Sequence, residues 1–191
     1  RQLPDRRYAL GFRLVPLGAM AGSSVGVGAE RALSGLVEAL GETANLAVLD
    51  GDRITYVAQV PGSHSMRMFT EVGRRVDPHC TAVGKAIMAR MPRDQARALL
   101  TRTGLAARTP HTLTDLETLC AGLDQIAERG YAMDEEEQEV GVRCVAVVVP
   151  TEEPRVAISV SGPAPRMTDA LVAGAVPQLQ RTAAALATAL G

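Results

Sequence analysis

The sequence predicts an α+β fold, an antiparallel sheet of about six strands with helices held to its outside. Three observations predict it. Strand-like segments come in two groups of three joined by short turns, helical segments carry their own start and stop signals, and one late strand alternates cleanly between large apolar and small polar residues.

Taken in order, Val27, Leu33, Leu36, Val37 and Leu40 fall on one helical face, and Gly41 just beyond suits a C-cap. Thr43 to Leu49 and Arg53 to Val60 flank Asp50-Gly51-Asp52, where Asp-Gly is a strong hairpin signal. A third strand is expected after Pro61-Gly62, at His64 to Thr70. It would place Met66 and Met68 on one face, as core filler or as adaptable pocket wall.

Glu71 to His79 reads as a polar connection into Asp77-Pro78-His79-Cys80-Thr81-Ala82-Val83-Gly84-Lys85-Ala86-Ile87-Met88-Ala89. Pro78 disfavours helix for the residue before it, and the Thr81 hydroxyl can cap a helix running to about Met91-Pro92. The first turn, Ala82-Val83-Gly84, has little side-chain bulk. Its free backbone N–H groups would suit a small anion, or the small residues would simply allow close packing on a sheet. Pro92 opens the next helix, through Ala96, Leu99 and Leu100 to Gly104. Thr114-Asp115-Leu116-Glu117 then reads as a capping box for a helix through Leu119, Leu123 and Ile126 to Gly130.

Tyr131 to Asp134 is a short strand, Glu135 to Gly141 an acidic connection, and Val142 to Val149 and Arg155 to Ser161 are hairpin partners. In the last of these Val156, Ile158 and Val160 face one way, while Ala157, Ser159 and Ser161 face the other. Cys144, Ala146 and Val148 share a face of the preceding strand, so Cys144 comes near Ser159 and Ser161 if the register allows. A final helix starts at Thr168-Asp169, runs through Val172, Val176, Leu179, Ala183 and Leu186, and is interrupted or bent at Pro177.

Composition narrows the function. With 47% hydrophobic residues, 191 residues can bury one sizeable core. Twenty basic against 21 acidic residues leave a net charge of −1, which is no electrostatic footprint for nucleic acid. No Trp, three Tyr and two Phe exclude a base-stacking platform. No apolar run reaches the length of a membrane span and no signal peptide is visible, so a soluble, cytoplasmic protein without membrane contact is expected. Cys80, Cys120 and Cys144 form no CxxC pair, which fits a reducing compartment.

His79-Cys80-Thr81-Ala82-Val83-Gly84-Lys85-Ala86, then Gly130-Tyr131-Ala132-Met133-Asp134-Glu135-Glu136-Glu137, Gly141-Val142-Arg143-Cys144-Val145-Ala146 and Ser159-Val160-Ser161-Gly162-Pro163, resemble the effector-binding domain of IclR-type bacterial transcription regulators. The resemblance covers about residues 8 to 188 and rests on four motifs in order. It implies a GAF-like fold, a small-molecule effector, and a homodimer or homotetramer that touches DNA only through an N-terminal winged helix-turn-helix domain outside this chain. Residues 1–25 then look like the end of that domain's wing and a linker helix, with Leu10, Leu14 and Leu17 on one face. Residues 26–191 would form the effector-binding domain. The chain is expected to start at a domain boundary, although a natural protein without the DNA reader, and a plain solvated tail around Arg1, Arg6, Arg7 and Arg13, fit as well.

The strand pattern alone points to Ser159 and Ser161 as hydroxyl-bearing site residues, beside the Cys144 thiol and the Asp134 carboxylate. Matching the motifs position by position adds Val76, Ala82 and Val83, with Met66 and Met68 as wall residues. Asp134 suits an anionic ligand only if it accepts a ligand hydroxyl or is protonated; otherwise it is a surface acid opening the Asp134 to Glu139 run. Catalysis by Cys80 or Cys144 with His64, His79 or His111 lacks any nucleophile motif, and a metal on His79, Cys80, Asp134 and Cys144 lacks a known spacing. No enzyme activity and no cofactor are expected, and phosphate-loop and dinucleotide fingerprints are missing. An association module with a vestigial pocket is the other reading.

Overall fold

A computed structural model describes Arg6, Arg7, residues 28–68 and residues 70–190. The expected wing and linker helix of residues 1–25, and Val27, lie outside these apart from Arg6 and Arg7. Helix α1 (28–40) leads into β1 (Thr43–Asp50) and β2 (Arg53–Val60), then β3 (Arg75–Val76). Helices α2 (Ala82–Met88), α3 (Arg93–Thr103) and α4 (Leu116–Arg129) follow, then β4 (Ala132–Glu135), β5 (Val142–Val148), β6 (Val156–Pro163) and α5 (Asp169–Leu190).

The six strands form one sheet in the order β3-β2-β1-β6-β5-β4, with antiparallel pairing throughout. Each half of the sheet is therefore local in sequence, and the single long-range join is β1 to β6. Gly51 takes a positive φ of 59° in the β1–β2 turn, the conformation the Asp-Gly signal predicts.

Alternation along the strands divides the apolar residues between two faces. Leu33 and Leu36 of α1 and Val172, Leu179 and Ala183 of α5 cover Leu46, Val145, Val147, Ile158 and Val160. On the opposite face Val83, Ile87, Leu99, Leu119 and Leu123 of α2, α3 and α4 cover Ala47, Ile54, Ala146 and Ala157. Each such large apolar side chain contributes about 1.5–3 kcal/mol when fully buried. The inner face of β5 and β6 is small-residued because α2 lies directly against it, and every residue of α2 is buried.

Helix ends follow the capping signals with small shifts. The Thr81 hydroxyl accepts the Gly84 N–H at 3.3 Å, and Gly41 and Gly130 carry positive φ at the ends of α1 and α4. Helix α2 stops at Met88, a little before the expected Met91-Pro92, and tighter turns follow at Arg90 and Met91. The cap of α4 is Asp115, not Thr114: its carboxylate accepts the Thr118 N–H at 2.7 Å, which moves Glu117 out of the capping-box position. Pro177 lies inside α5 without interrupting it.

The third strand is a correction. Residues 64–68 and Thr70 make no ladder; β3 is the two-residue segment Arg75–Val76, paired with Ile54 and Thr55. Backbone groups of this stretch are taken by other partners. Gly62 N–H donates to the Thr43 hydroxyl (3.0 Å), Ser63 N–H to Gly41 O (3.0 Å), and the Met68 and Met66 carbonyls accept from Thr43 Oγ1 (2.7 Å) and Arg166 Nη2 (2.8 Å). Met66 is 74% exposed, so it is not core filler.

Candidate functional site

Strand register brings the predicted polar residues into two adjacent rows on the α2 face. The first crosses four strands as Asp134, Cys144, Ser161 and Thr43. The second runs Ala132, Ala146, Ser159, Asn45 and Gln59. Val76, Ala82, Val83 and Cys144 share the apolar cluster on this same face. Met68 lies half-buried in the loop 61–74, which is tied to Thr43 at the edge of the first row, while the Met66 side chain points into solvent.

Hydrogen bonds join the rows. Asn45 Nδ2 donates to Ser161 Oγ at 3.1 Å and Ser159 Oγ at 3.5 Å, and Gln59 Nε2 donates to Asn45 Oδ1 at 3.3 Å. Asp134 Oδ1 accepts the backbone N–H groups of Glu137 (2.8 Å) and Gln138 (3.3 Å), a tight turn that the acidic run builds around its first carboxylate. Burial nevertheless pushes the Asp134 carboxyl up to about 7, so near neutral pH it holds a proton part of the time. Asp134 is therefore a buried acid, not the surface charge that its acidic neighbours suggest.

Charged groups that no sequence pattern singled out line the same region. Lys85, on α2, is ion-paired with Glu137, and both are buried. Among the described residues Glu137 Oε2 has no hydrogen-bond partner, nor has His79 Nδ1. Asp77, also buried, is paired with Arg53 and Arg108. Tyr56 lies on this face too, and burial raises its phenol well above the usual tyrosine range.

This chemistry does not suit a nucleophile or a metal. Burial pushes the Cys80 and Cys144 thiols up to about 12, whereas a reactive cysteine needs a depressed value. Cys80 Sγ donates to Gln138 Oε1 at 2.9 Å. His79 is kept neutral chiefly by burial, with Nε2 against the Ala106 carbonyl at 3.1 Å. Asp77, His79 and Cys80 have ligand-type atoms within 4.8 Å of one another, but two guanidinium groups already neutralise the carboxylate and the thiol is protonated. A dication there would have to displace an arginine.

Two open cavities lie elsewhere. One of about 400 Å³ sits between Ala86, Ile126, Tyr131, Val148 and the turn at Pro150 to Pro154; another of about 490 Å³ lies between Leu49, Leu99, Arg102 and Glu153. Neither touches the serine rows, which are closed over: Asn45 is 1% and Ser159 0% exposed. Among the described residues no helix is long and apolar enough to cross a membrane.

A six-stranded antiparallel sheet between two helical layers, with a covered polar patch on one face and no activated nucleophile, defines a GAF-like sensing domain. Residues 21–188 match the family described as bacterial transcriptional regulator IclR, C-terminal. The chain belongs to this IclR family and forms its C-terminal domain, which has a general ligand-sensing and oligomerisation role. It is 38% identical over 189 residues to the HTH-type transcriptional regulator XynR of Escherichia coli K12, covering 97% of this chain and 75% of XynR. The next curated relatives are matched over 48% to 56% of their length, so this chain spans about half of each.

Among solved structures, that of Thermotoga maritima IclR superposes with a TM-score of 0.86 at 31% identity, over 100% of this chain and 78% of that one. The inducer-binding domain of a double mutant of PobR from Acinetobacter, in complex with 3-hydroxybenzoic acid, superposes with a TM-score of 0.75 at 26% identity, over 83% and 95%. The curated relatives are regulators rather than enzymes.

Proposed function

We propose that this domain senses a small carboxylic acid held between the two serine rows and the start of α2. Binding would be relayed through a homodimer or homotetramer to an N-terminal winged helix-turn-helix domain that reads DNA. The observation that carries the reading is the register of Asp134, Cys144, Ser161 and Thr43, a buried polar row beside the apolar cluster that holds Val76, Ala82 and Val83. Burying hydroxyls and a carboxyl there carries a desolvation cost that their hydrogen bonds offset, and buried groups with perturbed protonation cluster at binding sites.

In this reading Ser159 and Ser161 hold the acid, Cys144, Val76, Ala82 and Val83 form the wall, and Asp134 meets a hydroxyl or carbonyl elsewhere on the ligand. Met68 closes the site from the loop side, and Met66, exposed in the ligand-free protein, turns in to join it when the ligand binds. The rows are closed over, and in this reading the segment tied to Thr43 through Gly62 and Met68 lifts to admit the ligand. The 3-hydroxybenzoic acid held by the PobR domain supports an acid in this fold.

A thermal-shift screen against aromatic acids, short keto and hydroxy acids, sugars and zinc tests the proposal. A ligand at 100 times its dissociation constant adds about 2.7 kcal/mol to stability. An acid whose shift vanishes in Ser159→Ala/Ser161→Ala supports the site; an acid whose shift survives that double substitution removes it.

A further inference from the structure

Asn45 and Gln59 carry no motif, yet they determine which way the serine hydroxyls can point. A primary amide has one accepting end and one donating end. The bond from Gln59 Nε2 occupies Asn45 Oδ1, so Asn45 presents its N–H₂ to Ser161 and Ser159. A hydroxyl that accepts on one side must direct its proton elsewhere. For Ser159 the Cys144 sulfur lies within reach. For Ser161, which is 5% exposed, no acceptor among the described residues takes the proton. A buried donor without an acceptor costs stability unless something outside the protein completes it.

We propose that Gln59 and Asn45 form an amide relay that fixes Ser161 as a hydrogen-bond donor to the effector, and so select a carboxylate over a group that donates at the same place. The inference rests on the acid-sensing reading of this site for its ligand, but the direction of the relay is a property of the protein alone. The two amides are positioning residues: Asn45 touches the serines and Gln59 touches Asn45, so both act on the ligand through the hydroxyls. A reversed relay, with Asn45 accepting from both serines, would present lone pairs to the ligand and favour an amide or hydroxyl there.

Neutron diffraction from deuterated crystals of the ligand-free chain reads the direction itself. The relay requires the Ser161 deuteron to point away from Asn45 and both Asn45 amide deuterons to be found on the serine side. A Ser161 deuteron pointing at Asn45 Oδ1 overturns it. The functional arm uses calorimetry with pyruvate and 3-hydroxybenzoate, each compared with its amide.

For whichever acid binds, Gln59→Met, which removes the donor without adding charge, lowers the preference for acid over amide about tenfold. A variant that keeps the full preference while Ser161→Ala destroys it overturns the relay and leaves the acid-sensing site standing. Binding of neither acid counts against that site reading, and the deuteron positions then decide the relay alone.

Discussion

Replacing Gly84 by alanine should destabilise the domain, against the local preference of a helix. Within a helix, alanine is favoured over glycine by about 1 kcal/mol. At Gly84, however, a Cβ would lie 2.2 Å from Pro78 O, 2.5 Å from its Cα and 2.7 Å from its carbonyl carbon. These are backbone atoms, so no rotamer change relieves the clash. Either α2 moves off the sheet, or Pro78 moves and disturbs the cap in which Thr81 Oγ1 donates to Asp77 O (3.2 Å) and accepts Gly84 N–H (3.3 Å).

Overpacking of this kind costs about 1–3 kcal/mol and a lost cap about 1 kcal/mol. With the propensity gain subtracted, urea unfolding should show a net loss of about 1–3 kcal/mol for Gly84→Ala. Gly174, in α5 with nothing within 4 Å of its Cβ position, is the matched control, and Gly174→Ala should gain up to about 1 kcal/mol. A Gly84→Ala protein as stable as its parent would refute the close approach of α2 to Pro78, and with it the placement of Ala82 and Val83 at the site.

Lys85→Met strands the Glu137 carboxylate in a buried position, for an expected loss of about 3–5 kcal/mol in chemical unfolding. Lys85→Met combined with Glu137→Leu should recover most of it; no recovery would mean the ion pair is not the cause. Asp134, raised by burial from 3.8 to about 7, keeps its proton in the folded state where the unfolded chain has released it. Its contribution is therefore fully present below about pH 4 and is lost as pH rises towards 7, by at most ~4 kcal/mol; the difference between parent and Asp134→Asn unfolding curves across that window measures it. Arg166→Ala removes the link between buried Glu42 and the Met66 carbonyl. Hydrogen exchange at Ser63, whose amide is bound to Gly41 O, should accelerate, and unchanged protection would show that Arg166 does not hold this segment in place.

Much of the fold was legible because local chemistry and global packing agree. Gly41, Gly51, Thr81 and Gly130 end or turn their segments through their own backbone preferences, and the alternation of Val156 to Ser161 divides two faces wherever the strand is placed. The same alternation marked Ser159 and Ser161 before any partner was known. Where the pattern misled, tertiary contacts overrode it: the spacing of Met66 and Met68 reads as a strand, but Thr43 and Arg166 take the carbonyls that a ladder would use.

By itself the sequence determined the order of elements, the apolar and hydroxyl-bearing faces, and the family through four spaced motifs. Only the tertiary structure decided that Asn45 meets Ser159 and Ser161, 114 and 116 residues away, and that Lys85 meets Glu137 inside the core. The reason is physical. A strand's alternation says which side a residue faces, but its neighbours depend on register across β1 and β6, and that register is set by the whole sheet closing against α2 and α5.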